Sequence, residues 1–192
     1  MDIEAFYNSE FSEHTDVVSK TREACAAPFA VLLERAAESV RHGGKIILFG
    51  NGGSAADCQH LATELTIRYK TDRAPIAAIA LTTDTSALTA GGNDLGFENI
   101  FSRQIEALGK PGDVAIGIST SGNSENVIRA LEAAKGMQIV PAALGGKDGG
   151  KLVGIAEPLL IVPSQTTARI QEMHIMLGQM LCGALEIELG LV

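Results

Sequence analysis

Short, continuously apolar runs alternate along the chain with longer amphipathic stretches. Five of these runs have the length of strands: 45–49, 75–81, 113–118, 138–144 and 158–163. A strand that is apolar at every position is buried on both faces, and strands that alternate with helices form a parallel sheet. The pattern predicts an α/β fold, a three-layer αβα sandwich around a five-stranded parallel sheet.

The amphipathic stretches predict the helices of this sandwich. They cover 54–69, 84–92, 97–108, 124–135, a short piece near 148–154, and 168–189. Two more helices are predicted before the first strand, at about 3–24 and 28–42, because Pro28 suits the first position of a helix. We expect a single domain over 1–192, in which 43–192 form the α/β core. The N-terminal helices, 1–42, are expected to form subunit contacts through an apolar side made of Ile3, Phe6, Tyr7 and Phe11.

Composition narrows the range of partners. The chain has 192 residues, 46% of them apolar, and a formal charge of −8, which argues against nucleic acid or an anionic membrane as the main partner. The first residues lack the pattern of a signal peptide, and no apolar run is long enough to span a bilayer. Three cysteines without CxxC spacing suit reduced thiols. We therefore expect a cytoplasmic protein.

Two loops combine glycines with hydroxyl or amide side chains at the carboxyl ends of predicted strands. The first strand runs into GNGGSAADCQH (50–60), and the third runs into STSGNSENV (119–127). Ligands of open α/β sheets bind at this edge, and the N-terminus of a following helix favours a phosphate. We expect Ser54 and Ser124 to cap the following helices. The second loop has more hydroxyls than a cap needs and predicts a phosphate site at Ser119, Thr120, Ser121 and Ser124.

Other phosphate-binding patterns fit less well. A P-loop would need GxxxxGK[ST], which is absent. GNGGSA matches a loose dinucleotide pattern, but the acidic residue expected at the end of the second strand is missing, and the first acid after that strand is Asp84. The glycine-rich segment 145–151 is interpreted as a flexible turn.

Two predicted helices carry candidate acid–base or metal-binding side chains. His60 and Glu64 are four residues apart, about 40° around a helix, so both can contact one ligand. Such a pair can bind Zn²⁺, or one residue can act as general acid and the other as general base. It can also be an ordinary pair on a solvent-facing helix surface. On the last helix, Gln171 and Gln179 carry amide oxygens that could ligate a metal. His174 could also complete a metal site, but the apolar residues Ile170, Met173 and Leu177 around it equally fit a place in the core.

Several segments together resemble one family, the phosphoheptose isomerases of the sugar isomerase (SIS) fold. These segments are GNGGSAADCQHLATEL, TTDTSALTAGGNDLGFENIFSRQ, GDVAIGISTSGNSENVIRAL, GKDGGKL and ARIQEMH, and the resemblance covers about residues 28–190. It implies a homotetramer with active sites between subunits. It also implies interconversion of sedoheptulose 7-phosphate and D-glycero-D-manno-heptose 7-phosphate, the first step toward the heptose of bacterial surface polysaccharide.

The resemblance also implies roles for individual residues. The family's general base falls on Glu64, its phosphate contacts fall on the hydroxyls of 119–124, and its zinc ligands fall on His60, Glu64 and Gln171, with position 179 as the fourth. The substrate contacts fall on Asn51, Gly52, Gly53, Glu64, Asn93, Asp94 and Gln171. Asn93 and Asp94 are expected on a loop at the carboxyl edge of the sheet, where they could contact sugar hydroxyls.

Position 179 departs from the family pattern, which has a histidine there as zinc ligand and second acid–base group. Gln179 can ligate through its oxygen but cannot transfer a proton near neutral pH. Three explanations remain open: a natural variant that uses water or another group, an engineered inactive form, or a relative that has lost activity. The last would resemble the non-catalytic SIS tetramers that bind the bacterial replication initiator protein. Those tend to lack a carboxylate at the position of Glu64, so this residue favours the enzyme.

Overall fold

The sheet has five parallel strands, as the apolar pattern predicts. In the computed structural model, which describes all 192 residues, the strands are β1 Ile46–Gly50, β2 Ala78–Ala80, β3 Val114–Ser119, β4 Val140–Gly146 and β5 Leu159–Val162. Their order in the sheet is β2-β1-β3-β4-β5. Because β1 pairs with both β2 and β3, the loops that follow β1 and β3 are neighbours at the carboxyl edge.

Helices cover both faces of the sheet. Alternate residues of each central strand point to opposite faces: Ile46 and Leu48 pack in one core, and Ile47 and Phe49 pack in the other. The first core is closed by α1 Ile3–Arg41, α2 Gly53–Thr66 and α6 Thr167–Glu188, and the second by α4 Ser102–Leu108 and α5 Glu125–Gly136. Helix α3 Thr85–Asp94 and two 3₁₀ turns, Phe97–Asn99 and Gly150–Leu152, complete the chain. The three-layer sandwich is confirmed.

The prediction of two N-terminal helices is wrong, because α1 is one helix of 39 residues with Pro28 inside it. Proline removes one hydrogen bond from a helix interior and normally breaks it. Here the buried positions continue past the proline at helical spacing, from Thr21 and Cys25 to Leu32 and Ala36. Burial of this face against the body of the protein outweighs the lost hydrogen bond.

The beginning of α1 leaves its apolar side in solvent. Its side chains Ile3, Phe6, Tyr7 and Phe11 are each more than half exposed. The rings of Tyr7 and Phe11 pack on each other with centroids 4.8 Å apart. No helix of the protein combines the length and apolar character needed to cross a membrane.

Candidate active site

The loop after β1 turns into α2 at a glycine. Gly52 is the residue before the helix and has φ +56°, a left-handed conformation that favours glycine. Ser54 lies inside the first turn of α2, so the prediction that Ser54 caps this helix is wrong. Asn51 extends from the same loop and exchanges two amide hydrogen bonds with Asn126 of α5, at 2.8 and 2.9 Å. This pair joins the two loops that the sequence singled out.

The hydroxyl loop after β3 gathers its side chains at the start of α5. Ser119 is 3% exposed, and its Oγ lies 2.9 Å from Oγ of Ser124. Ser124 occupies the position before α5, but its side chain makes no hydrogen bond to the helix, so its predicted capping bond is absent. The start of α5 therefore has no side-chain cap and has two hydroxyls beside it, an arrangement that suits an anion.

The glycine-rich segment 145–151 supports this loop. Gly122 has φ +67°, and a Cβ at this position would overlap the carbonyl of Gly149. Asn123 donates from Nδ2 to the Ser121 carbonyl at 2.8 Å and accepts from the Lys151 N–H at 3.3 Å. The segment is thus packed against the hydroxyl loop, contrary to the expectation of a flexible turn.

His60, Glu64 and Gln179 converge between α2 and α6. His60 Nε2 lies 3.0 Å from Glu64 Oε1 and 3.1 Å from Gln179 Nε2. The His60 side chain is 49% exposed and that of Glu64 is 19% exposed, so the group is accessible from solvent. The close approach of the helices depends on Gly178, where a Cβ would overlap the Leu61 side chain. The sequence predicted the first two residues as a pair, and the resemblance implied position 179 beside them. In the structure the three side chains lie within hydrogen-bond distance of one another through His60.

Gln171 lies elsewhere on α6. Its Nε2 is 2.8 Å from the position that a Cβ of Gly53 would take, so its amide rests on the first turn of α2. It makes no hydrogen bond to His60, Glu64 or Gln179. This placement suits the predicted sugar contact near Gly53. Its role as a metal ligand stays a prediction.

Asn93 and Asp94 belong to the last turn of α3, so their predicted place on a loop is wrong. Helix α3 begins soon after β2, where Asp84 caps it by accepting from the Ala87 N–H at 2.9 Å. The helix then continues to Asp94. Both residues are exposed, and Asn93 Nδ2 donates to Asp94 Oδ1 at 2.7 Å. Neither forms a hydrogen bond with the other predicted site residues of the same chain.

Two polar residues near the site were missed by the sequence reasoning. Asn126 stands one residue after an acidic helix start and has no pattern that reveals its pairing with Asn51. Asp57 lies one turn before His60 on α2, and this i,i+3 spacing could have revealed it. Burial raises the pKa of the Asp57 carboxyl, and the nearby His60 opposes that shift.

Of the two alternatives for His174, a metal ligand or a core residue, the structure shows the core residue. The ring is fully buried, and its Nε2 lies 2.9 Å from the Gly145 carbonyl oxygen. Burial lowers the pKa of His174 to about 4, while the bond to Gly145 acts in the opposite direction. This histidine does not reach the His60 group and cannot replace the histidine that the family has at position 179.

Comparison with known proteins shows the family of the chain. The SIS domain family matches residues 10–146. The phosphoheptose isomerase of Paramagnetospirillum magneticum is 57% identical over 186 residues, 97% of each chain. The solved phosphoheptose isomerase of Neisseria gonorrhoeae is 44% identical with a TM-score of 0.91, covering 96% of this chain and 99% of its own. That of Francisella tularensis is 34% identical with a TM-score of 0.94, covering 97% of this chain and 100% of its own. The chain therefore belongs to the SIS domain family and, within it, to the phosphoheptose isomerases.

Proposed function

We propose that the protein interconverts sedoheptulose 7-phosphate and D-glycero-D-manno-heptose 7-phosphate, supplying heptose for bacterial surface polysaccharide. The observation that carries the proposal is the Glu64 carboxylate, which is mostly buried and held by His60 beside Gln179. A hydroxyl-rich loop at a helix N-terminus provides the phosphate site on the same chain. The names of the relatives support this sugar phosphate as the substrate.

The reaction moves a carbonyl group between C2 and C1 of the sugar. A base must remove a proton from the carbon beside the carbonyl, which produces an enediol or enediolate. Glu64 is the base in this proposal, because a carboxylate can accept that proton and return it to the neighbouring carbon. His60 holds the carboxylate at 3.0 Å and thereby limits its rotation. The hydroxyls of Ser119 and Ser124 would hold the phosphate.

The residues around His60 also suit a cation. One ring nitrogen cannot both donate a proton to Glu64 and accept one from the Gln179 amide, yet His60 Nε2 is within 3.1 Å of both groups. A cation among the three side chains removes this conflict, since imidazole nitrogen, carboxylate oxygen and an amide turned to present its oxygen are all ligands. Ligand atoms of a tetrahedral zinc site are about 3.3 Å apart, close to these separations.

We therefore propose Zn²⁺ as the cofactor, held by His60, Glu64 and Gln179, with Gln171 as the predicted fourth ligand. Because Gln179 replaces a histidine, no cluster of three His, Cys, Asp or Glu side chains is present. When bound, the ion would polarise the substrate oxygen on which negative charge develops. Gln179 can orient that oxygen or the ion, but the second proton transfer must use water or another group.

We also propose a homotetramer with active sites between subunits. The exposed apolar side of α1 supports subunit contacts, since isolated apolar side chains are common on surfaces but a packed group of them usually marks an interface. Asn93 and Asp94 are exposed and bond only to each other. A second subunit would bring such residues to the site if they contact the sugar.

The test is a coupled assay for heptose 7-phosphate formation, with and without added Zn²⁺. We expect Glu64→Gln to lower kcat by about 10²–10⁴-fold, the usual range for a lost general base, and Gln179→His to preserve or raise it. Glu106→Gln on the exposed side of α4 is the matched control and should leave kcat unchanged. A zinc-loaded tetramer without turnover in the wild-type and Gln179→His forms would contradict the isomerase proposal.

A further inference from the structure

Arg73 is a buried arginine that contacts the end of the helix carrying Glu64. It lies between α2 and β2, and its side chain is 1% exposed. Its Nη2 donates to the backbone carbonyl of Glu64 at 2.7 Å, and its Nη1 donates to that of Leu65 at 2.8 Å. The last carbonyls of a helix have no partner within the helix. Arg73 therefore fixes the final turn of α2 from outside.

The same guanidinium is tied to α6. Arg73 Nε donates to Glu186 Oε1 at 2.8 Å, and Glu186 is 3% exposed. Glu186 also accepts from the Tyr69 N–H at 3.3 Å, so it holds the chain just after α2 as well. Glu186 comes seven residues after Gln179, which places both on nearly the same side of α6, about 20° apart. The pair thus connects the backbone of Glu64 to the helix that carries Gln179.

Stability alone does not explain a buried ion pair at this place. Removing two charges from water is costly, and replacement of such a pair by apolar side chains of similar volume is often neutral for stability. What apolar side chains cannot do is donate hydrogen bonds to the Glu64 and Leu65 carbonyls. The specific consequence of this pair is therefore the relative placement of α2 and α6.

We propose that Arg73 and Glu186 are positioning residues for the isomerase reaction, which hold Glu64 at a set distance from Gln179. This inference rests on the proposed function. The hydroxyl loop at 119–124 forms no hydrogen bond with the pair. Misplacement of a catalytic group by about 1 Å can lower a rate about 10²-fold. Loss of the pair should therefore lower kcat while the KM for the sugar phosphate stays nearly constant.

The decisive variant replaces both partners, Arg73→Met with Glu186→Met. We expect kcat to fall about 10–100-fold and KM to change less than about threefold. Urea unfolding should show a lower midpoint, because the Glu64 carbonyl loses its donor. Arg73→Lys is the second variant, because lysine keeps the charge beside Glu186 but lacks the fork that reaches both carbonyls. It should show the same fall in kcat if the double variant does not fold.

A second ion pair, in which the carboxylate is buried and the lysine is partly exposed, provides the control. Lys45 Nζ lies 2.5 Å from Asp113 Oδ2, and the Asp113 side chain is 2% exposed. Asp113 precedes β3, so this pair is at the sheet edge opposite the site. Asp113→Asn should lower the unfolding midpoint and leave kcat unchanged. A purely structural role for Arg73 would make the two pairs behave alike.

Two results would overturn the inference. One is that the folded double variant, or Arg73→Lys, keeps its kcat within about twofold of wild type. The other is that KM rises in these variants by the same factor by which kcat falls. If neither the wild-type protein nor Gln179→His shows turnover, the proposed function fails instead. Amide hydrogen exchange over residues 61–69 then tests the positioning. In Arg73→Lys these amides should exchange at least about tenfold faster than in wild type, and in Asp113→Asn they should not. Equal rates in Arg73→Lys and wild type would refute the inference.

Discussion

The pH dependence of stability should be controlled in large part by His174. This ring is fully buried in the first core, where its Nε2–H donates to the Gly145 carbonyl oxygen at 2.9 Å. Its Nδ1 is also buried and has no hydrogen-bond partner. Protonation would therefore place a charge and an unsatisfied N–H in an apolar environment. We expect the native state to resist protonation of this histidine, and the unfolded state to accept it.

The size of the effect follows from the pKa values of the two states. Burial lowers the pKa of His174 from 6.5 to about 4 in the folded protein. Between these values the unfolded chain binds more protons, so stability is intact above pH 6.5 and falls as the pH drops toward 4. With about 1.4 kcal/mol per pKa unit, the loss is about 2 kcal/mol between pH 7.5 and 5.0, and about 3 kcal/mol once the pH is below 4.

The assay is urea unfolding at about pH 7.5 and 5.0, at one fixed protein concentration because subunit association shifts apparent stability. His174→Gln keeps a donor for Gly145 but does not titrate. It should lose about 2 kcal/mol less than wild type between the two pH values. His42→Gln removes an exposed histidine and should behave as wild type does. If His174→Gln loses as much stability as wild type, the reasoning about the buried neutral ring is wrong.

Three further substitutions test the close contacts of the site. Gly178→Ala would push α6 away from Leu61. Urea unfolding should show that the free energy of unfolding falls by about 1–3 kcal/mol, and kcat should also fall. An unchanged unfolding curve would refute the tight contact. Gly122→Ala adds a side chain at φ +67° against Gly149, so kinetic assays should show a KM raised about tenfold, which corresponds to about 1.4 kcal/mol. Ser119→Ala removes one hydroxyl of the proposed phosphate site. The KM for the sugar phosphate should therefore rise about threefold to tenfold, while kcat stays within about twofold of wild type. An unchanged KM would count against the phosphate assignment.

Much of the fold could be predicted because apolar periodicity is a local property. All five strands lie at their predicted places, within a few residues. The predicted break at Pro28 failed because a single proline is a local signal, whereas the buried side of α1 from Thr21 to Ala36 depends on contacts with the rest of the protein. The capping predictions for Ser54 and Ser124 failed for a related reason, since glycine conformation and the bond between Ser119 and Ser124 decide those turns.

In the site, too, local sequence patterns predicted some features, and long-range contacts decided the others. The spacing of His60 and Glu64 along one helix was enough to predict that they meet, and the resemblance indicated the importance of position 179. Their contact with Gln179 depends on Gly178 of α6, which lets Leu61 of α2 pack closely against it. These two residues are more than a hundred positions apart in the sequence. The buried connection through Arg73 and Glu186 has no local sequence signature at all.

The amino-acid sequence by itself determined the α/β class and the succession of strands and helices along the chain. It also determined the hydroxyl loop at 119–124 and the pairing of His60 with Glu64. Each of these depends on neighbours within a few residues. Only the tertiary structure decided that α1 is continuous, that Asn93 and Asp94 form no hydrogen bond to the other candidate residues, and that Gln179 contacts His60. The first and the last of these outcomes depend on how closely α1, α2 and α6 pack against one another. That packing is a sum of long-range contacts, which no local pattern of polar and apolar residues specifies.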